Sequence, residues 1–173
     1  MMSDSRLEAL KRALKMEEDG KKFYEKCLKE TKNEMGKWMF EFLIRAEESH
    51  IRKFQELYKT LEASGKWPEK AAASEPRDVP ANIFAEALAH SKEKEKGTAD
   101  DIEALKTALS FEEEGIKYYQ ANAAAATDPM EKKFYMLLVN EETEHFLSIT
   151  DSLAFMENPQ LYYHQKEMTR GHW

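Results

Sequence analysis

Glu-x-x-His occurs twice in this chain, as Glu47 with His50 and as Glu142 with His145. At i and i+3 on a helix the two side chains share one face, so a carboxylate and an imidazole reach a common point. Oxygen and nitrogen donors together suit a divalent cation such as iron or manganese, whereas a structural zinc site would call for thiolates. Alone the motif is weak, because a chain this rich in glutamate produces about one match by chance. Its force lies in its position. "LIRAEESH" (Leu43 to His50) and "LVNEETEH" (Leu138 to His145) lie ninety-five residues apart. The same offset joins "ALKMEEDGKKFY" (Ala13 to Tyr24) to "ALSFEEEGIKYY" (Ala108 to Tyr119), where seven of twelve residues are identical. Each of these copies carries a glutamate at a matched place, Glu17 or Glu112.

Six candidate ligands follow: Glu17, Glu47, His50, Glu112, Glu142 and His145. Glu17 and Glu112 are preferred to Glu18 and Glu113, because they share a helix face with the tyrosines seven residues on. Glu47 and Glu142 are preferred to Glu48 and Glu141, because only they have the right spacing to a histidine. Four carboxylates inside a bundle would repel one another and lose hydration. Two divalent cations cancel four negative charges and turn that liability into a site. Tyr24 and Tyr119 lie two turns from a ligand, and a buried phenol seeks an acceptor such as a ligand carboxylate on a facing helix. They are either groups supporting the ligands or plain core tyrosines. Gly20 and Gly115 sit one turn from the ligands, where glycine costs about 0.5–1 kcal/mol relative to alanine. Either the missing side chain leaves room for peroxide or dioxygen, or the helices pack closely there.

Positioning six donors requires four helices. "SRLE" at Ser5 to Glu8 reads as a capping box, and apolar residues then recur at helical spacing through Leu7, Leu10, Leu14, Phe23 and Leu28. A break at Thr31 to Asn33 precedes a second helix with Trp38, Met39, Phe42, Leu43, Phe54 and Leu57 on its inner face. Gly65 and Pro68 stop it. "GKWPEKAAASEPRDVP" is a linker, and "ANIFAEALAHSKEKEK" reads as a short amphipathic helix ended by Gly97. Thr98 or Asp100 can cap a third long helix that runs to about Ala126. "TDPMEKKF" starts a fourth, with Thr127 or Asp128 as cap and Pro129 near the first helical position. That helix ends near Met156, and an irregular tail is expected after Pro159. The predicted fold is all-α: a four-helix bundle over residues 1–157, made of hairpins 5–64 and 98–157 joined by a crossover at 65–97, with a tail at 158–173. A helix of 27 residues is about 40 Å long, so the crossover can run back along the bundle.

Composition narrows the function. The net charge of −7 argues against nucleic acid or an anionic membrane as partner, since both need basic patches. Nothing resembles a membrane-spanning apolar run, and "MMSDSRLEALKR" lacks the apolar core of a secretory signal. The single Cys27 excludes an internal disulfide and any cysteine-built iron or zinc site, which points to a reduced, cytoplasmic setting.

As a set, "MEEDGKKFYEK", "FEEEGIKYYQ", "AEESH" and "EETEH" resemble the rubrerythrin family of the ferritin-like superfamily. The resemblance covers residues 5–64 and 98–157. It implies a ferritin-like bundle with a non-haem centre of two iron ions, with manganese the other candidate, often in a homodimer. It also implies reduction of hydrogen peroxide or dioxygen in oxidative-stress defence; iron oxidation, storage or delivery is the alternative. A full-length rubrerythrin carries a rubredoxin domain with four cysteines. This sequence has only Cys27, so electrons are expected from an external donor such as rubredoxin. Rubrerythrins also place an extra glutamate one turn after the third-helix ligand, where this chain has Gly115.

Overall fold

The computed structural model describes residues 5–69, 79–92 and 95–170. Among them are six helices and no strand: α1 (Ser5–Glu30), α2 (Glu34–Ser64), α3 (Ile83–His90), α4 (Ala99–Ala125), α5 (Pro129–Glu157) and α6 (Pro159–Arg170). The fold is the expected all-α ferritin-like bundle, in which α1 packs along α2 and α4 along α5. In the crossover, α3 lies against both α2 and α5 and so straps one hairpin to the other. No described helix is long and apolar enough to cross a membrane.

The helix ends follow from local chemistry. The Asn33 side chain caps α2 by accepting from the Gly36 N–H. Gly65 closes α2 at φ 65°, a left-handed conformation that favours glycine, and its N–H reaches the Leu61 carbonyl. Thr98, not Asp100, caps α4, and it forms a reciprocal box with Asp101. Asp128 accepts from the N–H groups of Met130 and Glu131, with Pro129 in the first turn.

Three expectations need correction. Ser5 lies within α1 rather than at its cap, and the residues before it lie outside the described residues. The crossover helix is shorter than predicted and ends at His90, where the Ser91 N–H closes onto the Ala87 carbonyl. The stretch after Pro159 is a helix, α6, and not an irregular tail. Asn158 accepts from the Leu161 N–H, and Pro159 then stands where a proline starts a helix. Tyr162 anchors α6 against Phe84 and Phe155. His172 lies outside the described residues.

The interior is layered. One apolar cluster gathers Met35, Met39, Phe40, Leu43, Ile83, Leu105, Ile149 and Phe155; another gathers Leu10, Phe54, Leu57, Leu61, Trp67, Phe134 and Leu138. Each fully buried large side chain contributes about 1.5–3 kcal/mol. Glu47 and His50 on α2, and Glu142 and His145 on α5, fall between the residues of these clusters along the chain.

Candidate metal centre

All six predicted donors point inward. Glu17, Glu47, His50, Glu112, Glu142 and His145 are each no more than 5% exposed. α1 supplies Glu17, α2 supplies Glu47 and His50, α4 supplies Glu112, and α5 supplies Glu142 and His145. Two groups bring their ligand atoms within 4.8 Å of one another: Glu17 with His50 and Glu142, and Glu112 with Glu142 and His145. Glu142 belongs to both. Glu47 belongs to neither; its buried carboxyl lies near Glu17, whose charge repels it.

Without a cation, protons hold this cluster together. His50 Nδ1 faces Glu17 Oε2 at 3.0 Å and Glu142 Oε1 at 3.1 Å. His145 Nδ1 lies 3.3 Å from Glu142 Oε2 and 3.5 Å from Glu112 Oε2. Burial alone would push both imidazoles toward the neutral form, but the carboxylates outweigh it. His50 is held well above the usual range, led by Glu17 and Glu142, and His145 is raised to about 10. Burial, followed by repulsion from Glu17, raises Glu47 well above the carboxylate range. Glu112 is raised to about 8 by burial and by Glu142. Burial would also raise Glu142, yet its neighbour Glu112 and the two imidazoles hold it low.

The fit to cations can be read from the polar atoms left over. Glu112 Oε2 and Glu142 Oε1 are buried without a hydrogen-bond donor; the imidazole nitrogens near them are not aligned for one. A buried, unsatisfied carboxylate oxygen is costly, and a divalent cation is the partner that four carboxylates and two imidazoles suit. The residues present therefore fit a metal centre.

The tyrosines cross-brace it. Tyr24 on α1 donates to Glu112 on α4, and Tyr119 on α4 donates to Glu17 on α1. Burial, then the neighbouring carboxylates, pushes both phenols up, so they remain donors. Gly20 and Gly115 line a cavity of about 120 Å³ together with Glu17, Glu47, Glu112 and Glu142. A methyl group on Gly20 would touch the Glu47 carboxylate at 3.5 Å, and one on Gly115 would touch Glu142 at 3.7 Å. Both are ordinary contacts, so helix packing does not demand glycine at either place.

One partner was not legible from motif spacing. Glu141, set aside for its lack of a histidine at the right interval, accepts from His50 Nε2 at 2.7 Å and lies 3.3 Å from Lys53 Nζ. Its histidine sits on another helix. The available signal was the repeat itself, which has Ala46 where the second copy has Glu141.

A family model described as Rubrerythrin matches residues 8–99, over half of the chain, taking in α1, α2 and the crossover. No curated protein and no solved structure matches the chain.

Proposed function

Because the chain belongs to the rubrerythrin family, we propose that it is a non-haem di-iron oxidoreductase that reduces hydrogen peroxide, or dioxygen, as a defence against oxidative stress. The observation that carries this reading is the convergence of four buried glutamates and two buried histidines beside a small cavity. Glu17 and His50 would hold one iron and Glu112 and His145 the other, with Glu142 shared and Glu47 alongside. When bound, the pair supplies electrons and stabilises negative charge developing on oxygen.

The chain's own residues do the rest. A cavity of about 120 Å³ has room for a molecule the size of peroxide beside the donors. Tyr24 and Tyr119 fix the orientation of Glu112 and Glu17 by donating to one oxygen of each and leaving the other to face inward. The apolar clusters on either side of the donors keep bulk water away, which strengthens every charge interaction at the site. Hydrogen peroxide takes up two electrons and two protons to give two waters. The electrons would be replenished by a one-electron carrier such as rubredoxin.

The test is anaerobic loading with ferrous iron, then stopped-flow mixing with peroxide and, separately, with dioxygen. Rapid oxidation by peroxide that slows in Gly20→Ala and Gly115→Ala supports the reading. A hollow assembly that accumulates ferric mineral would favour iron storage instead. Loaded protein inert to both oxidants would overturn the proposal.

A further inference from the structure

The duplication makes its own exceptions informative. At the offset of ninety-five residues His50 pairs with His145, Ala46 with Glu141, and Lys53 with Ser148. On α5, Glu141 reaches across the bundle to α2, accepts from the outer nitrogen of His50 at 2.7 Å, and is held in turn by Lys53. Ala46 has no atom that could do this for His145. Among the described residues the one hydrogen bond of the His145 ring is through Nδ1, to Glu142 on the same helix. Among the described residues, therefore, one imidazole is held at both nitrogens and the other at its inner nitrogen alone.

The inner contacts follow the same order. His50 Nδ1 lies 3.0 and 3.1 Å from the two carboxylates it faces, and His145 Nδ1 lies 3.3 and 3.5 Å from its own. A ligand histidine whose outer N–H is taken by a carboxylate has its tautomer and ring orientation fixed and is a better donor to a metal. Ring freedom that must be lost on binding at His145 is already lost at His50.

We propose that Glu141 makes the two cation positions unequal, so that the position flanked by Glu17 and His50 fills first and the one flanked by Glu112 and His145 fills second. This rests on the metal-centre reading above and deepens it. Glu141 touches neither cation nor oxidant; it is a positioning residue acting through His50. The competing role for Glu141 is to tie α2 to α5 through Lys53, and that role would show in thermal stability and not in the order of filling.

The experiment is an anaerobic titration of the metal-free protein with cobalt(II), followed by visible absorption and calorimetry. The wild type should bind two equivalents in two resolved steps. Glu17→Ala should remove the tight step, and Glu112→Ala the weak one. Glu141→Ala should weaken the tight step roughly 10–100-fold, so that the two steps merge. Glu141→Gln, which keeps an acceptor but loses the charge, should fall between them, and it decides the matter should the alanine variant fail to fold. A wild type that binds two equivalents in one step, or a tight step unmoved in both Glu141 variants, overturns the proposal. A chain that binds no divalent cation overturns the metal-centre reading with it.

Discussion

The two hairpins carry the same donors but use them differently. In the first, Glu47 lies near Glu17 and stays outside both candidate metal-binding triads; in the second, its counterpart Glu142 stands in both. In the first, Tyr24 stacks on Phe40; in the second, Tyr119 stacks on Tyr135, at nearly the same centroid distance, 6.3 against 6.2 Å. Phe40 and Tyr135 are themselves a repeat pair. The comparison teaches that duplication fixed where the donors stand, while later divergence set how each is held.

The largest break should come from the shared carboxylate. Glu142→Ala is expected to abolish stable binding of both cations, whereas Glu47→Ala should weaken binding and leave at least one; metal content after gel filtration separates the two. If the variants behave alike, the hairpins are equivalent at this position.

Next in size is the response to pH, to which both hairpins contribute: Glu47 and His50 in the first are raised well above their usual ranges, as are Glu112 and His145 in the second. Glu112 and His145 bind protons more tightly folded than unfolded, with values of about 8 and about 10 against 4.5 and 6.5. Their stabilisation is complete below the unfolded values and is lost as pH rises through the folded ones. The melting temperature of the metal-free protein should therefore fall between pH 5 and 10. Glu112→Gln should flatten the lower part of that fall, and cation affinity should rise over the same range as protons leave the ligands.

The tyrosine braces should be closely matched. Tyr24→Phe and Tyr119→Phe each remove a donor from a buried carboxylate and should each cost about 1–3 kcal/mol by chemical denaturation. A wide gap between the two would show that the braces, too, have diverged. The smallest effect has the opposite sign. Among the described residues the buried Tyr135 hydroxyl has no partner, so Tyr135→Phe, which copies Phe40, should stabilise the fold by about 1 kcal/mol in the same measurement.

Much of this was written in the sequence. Glu17, His50 and their counterparts were legible because spacing on a helix fixes a face, and a second copy removes the ambiguity of the first. Gly65 was legible, and Thr98 and Asp128 each as one of two candidates, because capping is a transaction between neighbours in the chain. Glu141 was not, because its partner is on another helix and no interval in the sequence measures that distance. α6 was missed for a simpler reason. Asn158-Pro159 reads equally as the end of one helix and the beginning of the next, and the anchor that decides between them, Tyr162 against Phe84, is a tertiary contact.

Each hairpin packs chiefly against itself, α1 on α2 and α4 on α5, with sparser contact between the pairs. Chains whose contacts are local assemble quickly. Each hairpin can therefore zip up alone, and their docking comes last. That final step is also the one that forces the acidic groups together, so acidity and dissolved cations should set the pace of closure and leave the earlier zipping untouched.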